Sequence, residues 1–542
     1  MKSLRTVLSA AATLIPLLGI AACNSKGNPP STFTIGGTVV NLAGSGGGLV
    51  LRDNSSDFLQ IGTNGTFTFT ATVASGGAYL VAVSQQPSNP TQTCGVTGGS
   101  GTANANVTDI QINCAHNEWA WIKGSTMTGM SGIYGTLGVS GATNNPGARQ
   151  PGATWTDSSG DLWLFGGYGQ DSAASVLPLN DLWKFSGGQW TWVGGSNIAG
   201  QTGVYGTLGA PAIANIPGAR ISPVSWKDSS GNFWMFGGNG FDSQGTEADL
   251  NDLWEYRNGE WAWMSGSAVA KQKGVYGTKG VAAPDNVPSA RDSSVSWIDA
   301  SGNFLVFGGI GYDSNGKVGE LNDLWKYNNG EWTWVSGSNL ANQGAVYGAL
   351  GVPAPNNVPG GRSSAMSWTD SSGNLWLYGG SGYGAGDVNG TFGDLWRYHN
   401  GQWTWVSGSQ VVGLASVYGV KGSPAAANTP GWRQDSATWT DSSGNLWLFG
   451  GNGVDLTGQA GALNDLWKYS NGQWTWVSGS NLVTQSGVYG MQGSPAPGNA
   501  PGGRLESLTW VDANGSLWLF GGYGSAQSGT QADLDDLWMY TP

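Results

Sequence analysis

Six arginines, Arg149, Arg220, Arg291, Arg362, Arg433 and Arg504, stand at a constant step of 71 residues. An Asp-Leu-Trp triplet keeps the same step, beginning at Asp181, Asp252, Asp323, Asp394, Asp465 and Asp536. A guanidinium is a rigid fork of donors that fits either a carboxylate or an anionic ligand. Because both sets recur six times in phase, paired structural salt bridges are the better reading and an anion-binding ring the weaker one. Six Tyr-Gly pairs share the step, at Tyr134, Tyr205, Tyr276, Tyr347, Tyr418 and Tyr489. Aromatic rings stack on sugars and anchor protein partners, so these tyrosines are candidate ligand contacts, against the alternative that each pins its own loop. Trp432 is a further candidate. Tryptophan occupies five positions in every repeat except where Leu305 stands, and Trp432 alone falls outside that pattern.

Chemistry copied six times needs six copies of one scaffold. The Trp-x-Trp pair recurs at Trp119/Trp121, Trp190/Trp192, Trp261/Trp263, Trp332/Trp334, Trp403/Trp405 and Trp474/Trp476, and Gly-Gly begins at Gly166, Gly237, Gly308, Gly379, Gly450 and Gly521. A fixed period of this kind marks a repeat architecture, in which equal residues at equal places pack repeat on repeat. Each repeat holds four strand-like runs, in the fifth Ser436 to Thr440, Asn445 to Phe449, Leu466 to Tyr469 and Gln473 to Val477. Asp-Ser-Ser-Gly joins the first pair and Asn-Gly the last, both hairpin signals because Asn and Gly tolerate positive φ. Four antiparallel strands per repeat predict propeller blades, and an all-β chain with almost no helix. The 93 glycines, 30 tryptophans and 10% charged residues suit that prediction.

The run Leu446-Trp447-Leu448-Phe449-Gly450-Gly451, followed by Trp467 and Trp474, resembles the kelch signature, and the resemblance covers all six repeats. It implies a six-bladed kelch-like β-propeller over residues 118–542, similar to the propeller domain of galactose oxidase. The repeat region opens on a Trp-x-Trp strand and stops after the last Asp-Leu-Trp strand, so residues 118–123 are expected to complete the sixth blade and close the ring. A copper radical oxidase of that type would need two histidines, two tyrosines and a cysteine. The repeat region has no cysteine and only His399, with His116 just before it, so that chemistry is excluded and no metal or other cofactor is expected. Thr-Asp-Ser-Ser-Gly-Asn-Leu-Trp is superficially similar to the Asp-box of sialidases, but its Gly and Trp each fall one residue late. No acid is set apart from the repeat, which leaves loop residues Asp242, Glu247 and Asp313 as the enzymatic candidates.

Loop length separates the two faces of such a ring. The first and third turns are minimal, whereas the crossovers, such as Ser125 to Ala148, and the second connections, such as Tyr168 to Asn180, are long and rich in Gly, Asn and Ser. Long loops on a rigid face are where binding is expected.

At the N-terminus, Lys2, Arg5 and the apolar run Val7 to Ala22 read as an export signal over residues 1–22. Ile20-Ala21-Ala22-Cys23 resembles the lipobox of bacterial lipoproteins, which implies lipidation of Cys23, a linker over residues 23–30 and, with Asn24 next, delivery to the outer membrane. Residues 31–115 alternate apolar and polar in runs such as Phe33 to Val40 and Phe67 to Val73, predicting a small Ig-like β-sandwich. That segment resembles the immunoglobulin-like or carboxypeptidase-regulatory-like domains of bacterial surface proteins, which implies a stalk. Cys94 and Cys114 are left to pair as a disulfide in an oxidising compartment. The net charge of −12 repels nucleic acid and anionic membrane surfaces. The reading as a whole is a monomeric, lipid-anchored module of the cell envelope that binds a protein or glycan on its long-loop face, with glycan processing as the alternative.

Overall fold

Alternating apolar residues in short runs can be buried only by pairing sheets, and the chain does so in two separate units, 1–115 and 116–542. The computed structural model describes residues 31–42, 48–54, 56–87, 92–115, 117–496 and 498–542. The export signal, Cys23, the linker and His116 lie outside the described residues. Among the described residues the only helix is one short 3-10 turn, Ala385–Asp387, and no helix is long and apolar enough to cross a membrane.

The first unit is two four-stranded sheets. Strands Gly65–Ala74, Thr32–Val40, Val107–Ala115 and Thr93–Thr97 form one, and Asp57–Ile61, Leu49–Asp53, Gly77–Gln85 and Ser100–Ala103 the other. Ile35, Leu51, Phe69, Ile110 and Ile112 fill the core between them. Cys94 and Cys114 face each other across neighbouring strands and are joined as a disulfide.

The second unit is a propeller of six four-stranded antiparallel blades. Blade 1 runs Ala153–Thr156, Leu162–Gln170, Val176–Ser186 and Gln189–Gly194 from the axis outward, and the next four repeat it. Blade 6 takes Leu508–Val511, Leu517–Phe520 and Leu537–Tyr540 from the C-terminal end, and its outer strand is Trp119–Lys123. The inner strands pack against one another in an unbroken circle, first against last included. A buried tryptophan on each inner strand reaches the neighbouring blade; the Trp368 and Trp439 indoles donate to the Trp447 and Trp518 carbonyls at 2.9 and 3.0 Å. The periodic tryptophans are therefore packing between blades, as in Trp155 against Phe233 and Trp261.

The crossovers lie over the outer strands. Asn215 in one of them donates to the Trp261 carbonyl, and Gly209 donates to that of Trp263. This cover keeps the outer edges from pairing with other chains.

Candidate ligand-binding site

The repeated residues converge on one buried unit per blade. In blade 1, Asp181 accepts Arg149 Nη1 and Nη2 at 2.8 Å each, the Tyr134 hydroxyl at 2.7 Å and the Trp183 indole at 2.7 Å. The arginine also donates to the Gly147 and Gly166 carbonyls. Gly166 and Gly167 adopt φ of 67° and 101°, and a Cβ on Gly166 would lie 2.7 Å from the Leu179 carbonyl. A side chain here would block the carbonyl from turning to the guanidinium. The same ion pair is fully buried in all six blades. The arginines are therefore spent on structure and are not open to an anionic ligand.

This cluster also corrects the expectation for the tyrosines. Tyr134, Tyr205, Tyr276, Tyr347, Tyr418 and Tyr489 are only 1 to 6% exposed, and each hydroxyl donates to the aspartate of its blade. Burial, then the aspartate charge, pushes each phenol well above its ordinary pKa and keeps it a donor. No stacking face is left for a ligand; the rings pin the crossovers to the blades.

The long loops gather on one face, held together by the aspartates of the second connections. Asp242 accepts the backbone N–H groups of Gln244, Thr246 and Ala270, the last from the crossover. Burial works against its charge, yet these backbone donors hold its carboxyl below the usual range, and Asp313 is held in the same way. Both are turn-formers kept ionised, poor general acids at neutral pH. Glu247 is exposed.

Trp432 occupies a different setting. It is half-buried and lines a cavity of about 440 Å³ between blades 4 and 5, beneath the crossover. Three further departures from the repeat stand at or beside it. Tyr378 stands where five blades have Phe, Gly393 where four have Asn, Ser416 where four have Gly, and Trp432 itself where the others have Ala or Gly. In blade 1 the corresponding Asn180 bridges the Pro217 carbonyl and the Ser196 N–H, filling the space that Gly393 leaves open. The Tyr378 hydroxyl donates to the Gly431 carbonyl at 2.6 Å, and Gly431 adopts φ of 73°. Ser416 donates to the Pro430 and Val454 carbonyls. Together these changes re-route one crossover and open a cavity with an indole on its wall. Leu414 and Val417, about half exposed, form an apolar rim, and Ser407, Ser409 and Gln473 supply polar groups.

A second departure from the repeat, at Asp435 and Glu506, lies at the channel mouth on the same face. Ser222, Ser293, Ser364, Asp435 and Glu506 each adopt positive φ and donate their N–H to the carbonyl one blade back, beginning at Pro151. They surround a space of about 180 Å³. Burial raises the Asp435 carboxyl to about 6, and burial together with Asp435, Asp533 and Asp292 raises Glu506 to about 8. Burial and the neighbouring Asp249 raise Asp292 to about 7. Acids do therefore stand outside the repeat, contrary to the sequence reading. Asp435 and Glu506 occupy a column that is otherwise Pro or Ser, which aligning the six repeats reveals. Among the described residues no three His, Cys, Asp or Glu side chains are placed to hold a metal ion.

No protein-family model matches the chain, and no curated protein sequence does. Among solved structures it is similar to YjhT, at 15% identity over 72% of this chain and 95% of that one, with a TM-score of 0.42. It is also similar to a fungal alcohol oxidase of the AA5 family in complex with copper, at 12% identity over 75% of this chain and 77% of that one, with a TM-score of 0.39. The propeller assignment rests on the sheet order of the chain itself.

Proposed function

We propose that the chain is a lipid-anchored, non-catalytic binding module of the cell envelope, seated in the outer membrane through Cys23. It takes a protein or glycan ligand on its long-loop face, in the cavity between blades 4 and 5. The observation that carries this reading is the departure of Tyr378, Gly393 and Trp432 from the repeat, all lining one cavity, with Ser416 departing beside them. Here the changes open a space of the size that a sugar ring or a partner side chain occupies, with an aromatic wall and a few polar groups to orient the guest.

The test is a melting-temperature screen of the full chain against mono- and oligosaccharides, anionic glycans and envelope peptides, because a ligand of the folded state raises the transition. Trp432→Ala is the matching variant, and it restores the residue that blades 1 to 3 already carry, so the fold is unharmed. A saturable shift that falls by about tenfold or more in apparent affinity with Trp432→Ala is expected, since indole truncation at a hot spot costs on the order of 2 kcal/mol. Undiminished binding in the variant sinks the cavity as the seat of recognition.

One observation favours a second reading, glycan processing. Asp292, Asp435 and Glu506 carry carboxyls raised into the range about 6 to 8, where a general acid works. Hydrolysis of any sugar that shifts the melting temperature, abolished by Glu506→Gln, would select it.

A further inference from the structure

One blade lacks its tryptophan. In the other five, the second strand carries Trp163, Trp234, Trp376, Trp447 or Trp518. Each indole donates to the aspartate of the adjoining hairpin, Asp157, Asp228, Asp370, Asp441 or Asp512, at 2.8 to 2.9 Å. Blade 3 has Leu305 there, and Leu305 borders a cavity of about 380 Å³ on the short-turn face. The cavity walls include Asp299, Lys326, Leu375 and Tyr398.

Those four are the positional equivalents of the groups that enclose the indole elsewhere. Around Trp163, Asp157 takes the N–H, Lys184 lies 5.4 Å from the ring centroid, and Phe233 and Tyr256 of the next blade pack at 5.2 and 6.1 Å. Around Trp447, Asp441, Lys468 and Tyr540 do the same. In blade 3 the enclosure remains while its occupant is gone. Asp299 keeps its turn bonds from Ser301 and Asn303, but no indole reaches its Oδ2. Lys184 and Lys468 form ion pairs with their hairpin aspartates, whereas among the described residues Lys326 forms none. The rim residues Ala300, Ser301, His399 and Asn400 are exposed, so the cavity opens to solvent.

We propose that this cavity binds an indole-class ring, a planar bicyclic aromatic that donates an N–H to Asp299 and lies against Lys326 and Tyr398. The protein itself states the specificity, because five of its own blades show what fits. A cation over an aromatic face and a charged acceptor for the N–H both favour such a ring over a plain hydrocarbon. A free indole derivative and a tryptophan side chain on a partner polypeptide share this chemistry.

The test is calorimetric titration of the full chain with indole, N-methylindole and the tripeptide Gly-Trp-Gly, repeated on Leu305→Trp. Saturable indole binding is expected, with N-methylindole about tenfold or more weaker because it has no proton for Asp299. Leu305→Trp, which fills the cavity from within, is expected to lose indole binding and to melt higher. Tripeptide affinity equal to or above that of indole assigns a tryptophan side chain as the guest; indole binding without tripeptide binding assigns a free small molecule. The proposal is overturned if indole does not bind, if N-methylindole binds equally well, or if Leu305→Trp binds undiminished. Should that variant fail to fold, the comparison of the two indoles on the unmodified chain still decides.

Discussion

A carboxylate removed from water is stable only when its lone pairs are used, and Asp323 shows the limit of that rule. It accepts both Arg291 guanidinium nitrogens, the Tyr276 hydroxyl and the Trp325 indole, each at 2.7 Å, with none of the ion pair exposed. Asp323→Asn leaves a buried guanidinium without its counter-charge, and a loss of about 3–5 kcal/mol in unfolding free energy is expected. Tyr276→Phe removes one bond to a charged acceptor while the ring stays packed on Trp325 and Trp334, so about 1.5–3 kcal/mol is expected. Denaturant titration of the two variants checks the order. If Tyr276→Phe costs as much as Asp323→Asn, the hydroxyl does more than pin its loop. That the tyrosines were candidates at all shows how little a conserved spacing says about side-chain direction. Six equal residues on a crossover are compatible with a ring facing solvent or a ring facing the blade, and only the hydroxyl's partner separates the two.

Short elements joined at the channel mouth carry a strongly pH-sensitive feature. The segments holding Asp435 and Glu506 sit in a left-handed turn, linked by the Glu506 N–H donating to the Asp435 carbonyl at 2.9 Å. Asp533 and Asp292 add further negative charge towards Glu506, raising it to about 8 after burial has acted. An unfolded glutamate titrates near ~4.3, so the folded chain holds this proton more tightly. Its contribution to stability is complete below that value and is lost as pH rises through about 8. The melting temperature is thus expected to fall between about pH 5 and pH 9, and Glu506→Gln to flatten the fall. A slope unchanged in the variant would show that Glu506 does not titrate in that window. Much of the blade architecture was legible in the sequence because glycine pairs, Asn-Gly turns and tryptophan columns obey one period. Leu305 and Trp432 were visible as breaks in that period. Their consequence was not, because a cavity depends on whether neighbours move in, and Gly393 and Ser416 matter only through their contacts with the re-routed crossover. Asp435 and Glu506 were hidden for another reason: each lies two residues after a repeat arginine and invites reading as its partner, yet each of the six repeat arginines is already taken by the aspartate of its own blade.

Closure gives the propeller a non-covalent seam. Five blades are continuous chain, but in blade 6 the strand Leu537–Tyr540 pairs with Trp119–Lys123, with Tyr540 opposite Trp119 and Trp538 opposite Trp121. Trp119 packs on Trp439, Phe449 and Tyr540, and Trp121 on Tyr489, so this one strand holds blade 6 to its neighbour as well as to itself. The Trp121 carbonyl also receives the Gly493 N–H from the crossover. Deleting residues 118–123 strips an aromatic pair from that interface, and loss of even one buried tryptophan costs about 3–5 kcal/mol. It also bares the edge of Leu537–Tyr540, a template for pairing with another chain. The deleted protein is therefore expected to melt lower, to exchange its blade 6 amides faster and to self-associate on size exclusion. Appending the same six residues after Pro542 offers the strand from the other end. Recovery of a monomeric, cooperative transition in that rearranged chain would show that the pairing itself, rather than the connection to the first unit, closes the ring. A deletion variant that melts like the parent would mean that the inner-strand circle alone holds the propeller shut.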